Sequence, residues 1–170
     1  MKNKDSSCIV ILNYLNCRET VECVKSALKL KSNNYKIIIV DNGSYNKSYK
    51  IIKSEFKDIK NVFVVRNTEN LGFAKGNNTG IAYARNQMKY NFVFCVNNDT
   101  IFTDGNILSE LLRCCRKGIG VVGPRITGRD GKNQNPIKTG ITYRKILRDL
   151  LFSAVFSLIN IETLKNNYLI

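Results

Sequence analysis

The chain has 170 residues, 44% hydrophobic and 24% charged, the make-up of one ordinary folded domain with a sizeable core. It carries 27 Lys and Arg against 13 Asp and Glu, no histidine, and six cysteines without a paired CxxC spacing, which excludes an ordinary zinc site. The net charge of +14 is spread over the whole length without a nucleic-acid motif, so it points to anionic lipid or phosphorylated ligands, part of it serving only solubility.

The N-terminal MKNKDSS leads into a strand-length apolar run, not a signal-peptide core, and no stretch reaches the length of a membrane span. Cys8 to Leu12, CIVIL, reads as the first strand, ended by Asn13 and Tyr14. Asn16, with Glu19 three residues on, has the spacing of a capping box. A helix is expected to follow, with Cys17, Val21, Val24 and Leu28 on one face. Lys36 to Val40, KIIIV, is a second buried strand and ends in Asp41, Asn42, Gly43 and Ser44. Ser44 or Asn46 can cap a helix running to Phe56.

Asn61 to Val65, NVFVV, is a third strand; it leads through Arg66 and Asn67 into ENLGFAKGNNTGIAYA. Gly72, Gly76 and Gly80 recur every four residues and fall on one helix face. Each glycine costs a helix roughly 1 kcal/mol against alanine. Three on one face therefore imply close approach of the backbone to the sheet or to a ligand, and packing alone is a sufficient reason. The segment is neither a Walker loop nor the GxGxxG dinucleotide fingerprint.

Asn91 to Thr100, NFVFCVNNDT, begins with the apolar run Phe92 to Val96, which suits a parallel strand buried on both faces. It stops at Asn97, Asn98 and Asp99. Such residues can simply turn the chain. At the carboxyl end of a parallel strand they also stand where open α/β sheets bind ligands, and a carboxylate there suits a hard divalent cation. A helix from Asn106 to Arg116, a further strand over Gly118 to Gly123 and a hairpin at Asp130-Gly131 are expected next. Cys8, Cys23 and Cys95 lie in or near apolar stretches and are expected to pack as small hydrophobes, in a reducing cytosol. From Tyr143 the chain changes character: Arg144, Lys145 and Arg148 alternate with Ile146, Leu147, Leu150 and Leu151, followed by FSAVFSLINI. This predicts an α/β domain over 1–142 with a mostly parallel sheet flanked by helices, and a basic amphipathic helical tail over 143–170. The tail suits a membrane surface, or packing on the domain or on a partner chain.

Asp41 and Asp99 both end apolar strands expected to be parallel, so both belong on one rim of the sheet, with Asn13 beside them. A rim of Asn and Asp suits a base, a ribose and a metal–diphosphate, and Lys75 can add charge against phosphate.

The segments VILNYLN, IIIVDNGS, NLGFAKGNNTGI and FCVNNDT, in that order and spacing, resemble the N-terminal half of family-2 glycosyltransferases, in particular the rhamnosyltransferase-like group. The resemblance covers about residues 8 to 125. It implies a glycosyltransferase A (Rossmann-like) fold, a nucleotide-diphosphate sugar donor and Mg²⁺ or Mn²⁺. It implies Asp41 on the nucleotide base and Asn13 against the nucleoside. Asn70, Gly72 and Lys75 would border the donor pocket. Asn97, Asn98 and Asp99 would stand for the family's Asp-x-Asp motif, with Asp99 as the metal ligand. Asn97 is neutral where many relatives carry an acid, so the metal site loses one charge. The implied reaction is inverting transfer to a bacterial surface polysaccharide or lipid-linked acceptor. It would take place in the cytoplasm, with peripheral contact at the inner face of the plasma membrane an open option and no nucleic-acid partner. The family's base lies in a later acidic motif. After Asp99 the chain has Asp104, Glu110, Asp130, Asp149 and Glu162, none in a matching context, so the catalytic base is unknown. The expectation is therefore a short or missing acceptor half, and the alternative is a truncated, non-catalytic donor-binding remnant or partner subunit.

Overall fold

The computed structural model describes residues 6–134 apart from 33, 116 and 129. Strands and helices alternate: β1 (Ser7–Asn13), α1 (Cys17–Ala27), β2 (Tyr35–Asn42), α2 (Ser48–Phe56), β3 (Val62–Asn67), α3 (Gly72–Asn86), β4 (Phe92–Asn97) and α4 (Ile107–Cys114). The four strands form one sheet in the order β3-β2-β1-β4, every pair parallel. The order reverses between β1 and β4. At such a switch point the connections leave to opposite sides and open a crevice at the carboxyl ends of the strands.

The apolar runs of β1 and β2 make them the centre of the sheet. Side chains alternate across a strand, so one face carries Ile9, Ile11, Ile37 and Ile39, which pack with Val24 and Ala27 of α1, Ile52 and Phe56 of α2, and Leu108 of α4. The other face carries Cys8, Val10, Ile38 and Val40, packed with Ala84 of α3. Each buried isoleucine contributes roughly 1.5–3 kcal/mol of transfer free energy, so the two inner strands anchor the domain.

The spaced glycines of α3 serve this packing. A Cβ at Gly80 would stand 2.4 Å from Val10 Cγ1 and 3.0 Å from Val40 Cγ2, and one at Gly76 would stand 2.7 Å from Leu12 Cδ1. Gly72 opens the helix with φ +78°, a left-handed value that glycine adopts without a steric penalty. Asn16 caps α1 as its spacing predicts: its side chain accepts from Glu19 N–H at 3.4 Å. At α2 the N-cap position falls on Lys47, which makes no side-chain cap; Asn46, one residue earlier, accepts at Oδ1 from Ser48 N–H at 2.9 Å, and Ser44 is buried in other bonds.

Three expectations are corrected. Gly118 to Gly123 is not a strand; Ile119 and Val121 are exposed and the segment has no ladder partner among the described residues. Three glycines in six residues leave few side chains to pack, and Pro124 removes a donor. β4 is half-buried, not covered on both faces, because it is the outermost described strand on its side. For the same reason Cys95 is exposed, whereas Cys8 and Cys23 are buried. The chain divides into two units between Pro124 and Arg125. In the second, Thr127 and Asn133 form an antiparallel bridge around a turn in which Gly131 has φ +75°, as the Asp130-Gly131 signal predicts. The boundary expected at 142/143 and the helical tail lie outside the described residues.

Gly80→Ala should cost about 1–3 kcal/mol of stability through overpacking, outweighing the roughly 1 kcal/mol that alanine adds to a helix. Urea unfolding checks this; an unchanged or higher midpoint would show slack between α3 and the sheet.

Candidate functional site

Parallel pairing gathers the polar strand ends. The register sets Asn13 of β1 beside Asp41 of β2, Asp41 beside Arg66 of β3, and Leu12 of β1 beside Asn97 of β4. Asp41 and the turn carrying Asp99 therefore lie on one rim on either side of β1, separated by two interstrand spacings of about 4.8 Å each.

Asp41 is fully buried. Its Oδ1 accepts from Asn13 Nδ2 at 2.7 Å, and its Oδ2 accepts from Ser44 N–H at 3.2 Å and lies 3.5 Å from Arg66 Nε. Arg66 also donates to Ser44 O at 3.1 Å and stacks over the Tyr49 ring, 4.9 Å from its centroid. An isolated buried carboxylate would be costly; here hydrogen bonds and a half-exposed guanidinium compensate it. Asn13, also fully buried, accepts at Oδ1 from Thr20 Oγ1 of α1 at 2.8 Å. Thr20 Oγ1 in turn accepts from Asn98 Nδ2 at 3.1 Å. A single run of bonds thus joins β2, β1, α1 and the turn after β4.

A second network occupies the opposite face of the sheet. Asn42 follows Asp41, so its side chain points the other way, toward α3. Its Oδ1 accepts from Asn67 Nδ2 at 2.9 Å and Leu71 N–H at 3.2 Å, and its Nδ2 donates to Asn70 Oδ1 at 2.8 Å and Gly72 O at 3.2 Å. Asn70 Oδ1 also accepts from Gly72 N–H at 2.9 Å. Gly43, with φ +71°, packs so closely that a Cβ would fall 2.2 Å from the Glu69 carbonyl carbon. These bonds fix the turn that starts α3 and bring the exposed Lys75, in its first turn, to the same rim.

The expected site residues therefore sort into two sets. Asn13 and Asp41 are buried supports; Asn70, Gly72, Lys75, Asn97 and Asp99 are exposed, and Asn98 is half-exposed. The Asp99 carboxylate makes no hydrogen bond or ion pair among the described residues. No group of three or more Asp, Glu, His or Cys able to hold a metal ion occurs among them either. One free carboxylate and neighbouring amide oxygens suit a hard cation that brings water and phosphate as its other ligands. The described residues do not form a metal cage. Beside Arg66, a shallow hollow of about 480 Å³ is lined by Tyr45, Asn46, Lys47, Tyr49, Lys50 and Arg66.

Thr20, Asn42, Arg66 and Asn67 were not singled out from the sequence. Thr20 left one trace: a polar residue within the apolar stripe of α1, between Cys17 and Val24. Arg66 left none, because its partnership with Asp41 depends on the β2–β3 register.

The family model described as Glycosyl transferase family 2 matches residues 8–165. Procollagen-lysine,2-oxoglutarate 5-dioxygenase 2 of Mus musculus is 29% identical over 120 residues, 70% of this chain and 15% of that protein, and the Homo sapiens protein gives the same figures. Among solved structures, S. aureus TarS 1-349 in complex with UDP-GlcNAc superposes with a TM-score of 0.52 at 16% identity, covering 72% of this chain and 40% of that one. The mannosyltransferase PcManGT from Pyrobaculum calidifontis, in complex with GDP-Man and Mn2+, gives 0.57 at 13% identity over 67% of this chain and 33% of that one. At these identities the likeness shows the fold, the glycosyltransferase A (Rossmann-like) arrangement. The chain spans about 15% of the length of the curated relatives it matches.

Beneath the rim, Cys23 donates its thiol to Asn97 O at 3.6 Å. Burial, and secondarily the Asp99 carboxylate, push this thiol up from 9.0 to about 12; burial, and secondarily Cys95, do the same to Cys8. The unfolded chain loses these protons from about pH 9, and the folded chain holds them to about pH 12. The folded state binds more protons in that window, so stability falls as pH rises through it. Thermal melts should show Tm declining above about pH 9 and a shallower decline in Cys23→Ala. Equal slopes in the two proteins would remove Cys23 from the effect.

Proposed function

The chain belongs to glycosyl transferase family 2, and on that premise we propose that it binds a nucleotide-diphosphate sugar at the carboxyl rim of its sheet and transfers the sugar with inversion. One observation carries the reading: parallel register brings Asn13, Asp41, Asn97 and the turn bearing Asp99 to a single edge, next to the start of α3. Two structural neighbours carry nucleotide-sugars, GDP-Man in one and UDP-GlcNAc in the other, which supports a donor of this class.

In this reading Asp99 holds Mg²⁺ or Mn²⁺, with Asn97 beside it. When bound, the cation supplies Lewis-acid stabilisation of the departing diphosphate. Lys75 and the N-terminal end of α3 add positive potential toward phosphate. Asp41 and Asn13 form the nucleoside side of the site, with Arg66 paired to the Asp41 carboxylate. Asn70 and Gly72 border the sugar.

The acceptor we propose is a bacterial surface polysaccharide or its lipid-linked precursor, taken from the cytoplasmic side. The charge of +14 favours peripheral attraction to an anionic membrane face. Among the described residues no helix is long and apolar enough to cross a membrane.

A second reading, a donor-binding module without its own catalytic base, is favoured by the acids that follow Asp99. Asp104 Oδ1 accepts from Asn106 N–H at 2.8 Å and Asp130 Oδ1 from Lys132 N–H at 3.1 Å, so both support local turns. Transfer and hydrolysis assays with a panel of nucleotide-sugars and Mn²⁺ separate the two readings. Turnover identifies an enzyme; binding without turnover identifies the module. Asp99→Ala should fold normally and lose most Mn²⁺-dependent binding of a nucleoside diphosphate, at least about tenfold. Unchanged calorimetric affinity would remove Asp99 from the site.

A further inference from the structure

The run of bonds from Asp41 to Asn98 has a direction, set by what each group is able to donate. The carboxylate oxygens of Asp41 accept, so Asn13 turns its Nδ2 toward them and its Oδ1 away. Buried Asn13 Oδ1 then needs a donor, and Thr20 Oγ1, at 2.8 Å, supplies one. Thr20 Oγ1 also lies 2.9 Å from Asn16 O, but that carbonyl already accepts from Thr20 N–H at 3.3 Å. Withdrawing the hydroxyl proton from Asn13 would leave a buried acceptor unsatisfied, at a cost of about 1–3 kcal/mol. The proton therefore goes to Asn13, and the Thr20 oxygen is left to accept. Asn98 meets it with Nδ2 at 3.1 Å and directs the same amide nitrogen to Asn16 O at 3.5 Å. With Nδ2 turned inward, Asn98 Oδ1 keeps no hydrogen-bond partner among the described residues, on a half-exposed residue next to Asp99.

We propose that Thr20 is a positioning residue: it turns the Asn98 amide so that its oxygen, not its nitrogen, faces the ligand and stands beside Asp99 as a second oxygen for the diphosphate-bound cation. The inference rests on the donor-binding reading above. It adds an oxygen ligand, though no charge, where Asn97 lacks an acid, because a neutral amide oxygen in fixed orientation still suits a hard cation. It also ties the nucleoside side of the rim to the metal side through a single hydroxyl.

The test is a double-mutant cycle on Thr20 and Asn98, read by calorimetry with uridine diphosphate and with guanosine diphosphate, each with and without Mn²⁺. Thr20→Val keeps the shape and deletes the hydroxyl; it should weaken Mn²⁺-dependent binding about tenfold. Thr20→Ser should restore it. In an Asn98→Ala background Thr20→Val should have no further effect on the Mn²⁺-dependent part, which a merely structural role for Thr20 would not produce. Additive losses, or failure of Thr20→Ser to restore binding, overturn the inference and leave the donor-binding reading intact. A wild-type chain that binds neither nucleotide with Mn²⁺ overturns both. If Thr20→Val does not fold, the Asn98 side-chain amide in the wild type decides by NMR. Proton exchange slower than at the exposed Asn70 amide supports the inference, and equal exchange overturns it.

Discussion

The rim of this domain is built around one buried charge. Asp41 follows four buried apolar residues of β2, Ile37 to Val40, so its carboxylate is drawn out of water with them. It remains tolerable only because Asn13, the Ser44 backbone and Arg66 surround it. Each partner comes from a different stretch of chain. Satisfying one group thus fixes the relative positions of β1, the β2–α2 turn and β3. Removing any partner would expose the desolvation cost of the charge, which ties the site's geometry to the stability of the fold.

Alternation along β2 divides the remaining work. Asp41 faces the α1 and α2 side and gathers Asn13, Ser44 and Arg66 at that end of the rim. Asn42, one residue later, faces α3 and holds Asn70, Leu71 and Gly72 in place. Two adjacent side chains thereby control two loops on opposite faces of one sheet. Gly76 and Gly80 complete the second arrangement by letting α3 lie against Leu12, Val10 and Val40. The helix start, with Lys75, is held at the rim by backbone proximity, not by any contact of Lys75 itself.

On the other side of β1 the turn after β4 is less enclosed. Its residues are exposed or half-exposed, and the Asp99 carboxylate has no hydrogen-bond partner among the described residues. Membership of glycosyl transferase family 2 gives this asymmetry a sense. The Asp41 end of the rim is pre-built, whereas the Asp99 end offers one exposed carboxylate and amide groups, a donor set that on the proposed reading would need the donor's phosphates beside it to hold a hard cation.

The order of strands and helices, the parallel sheet and the polar strand ends were all legible from residue pattern alone. Unbroken apolar runs closed by Asn and Asp, and spaced glycines, are local signals. GIGVVG misled because an apolar run becomes a strand only when a neighbour completes its ladder, and no residue within it encodes that neighbour. Cys95 misled because burial depends on what lies beyond β4, not on the composition of β4. Register, which sets Asp41 against Arg66, and the bond from Asn98 to Thr20 join residues tens of positions apart. Such pairings exist only once the chain has closed on itself. The amino-acid sequence therefore determined which residues stand at the rim, and the tertiary structure alone decided which of them are buried supports and which are exposed, because burial and hydrogen-bond direction belong to the assembled neighbours and not to any one segment.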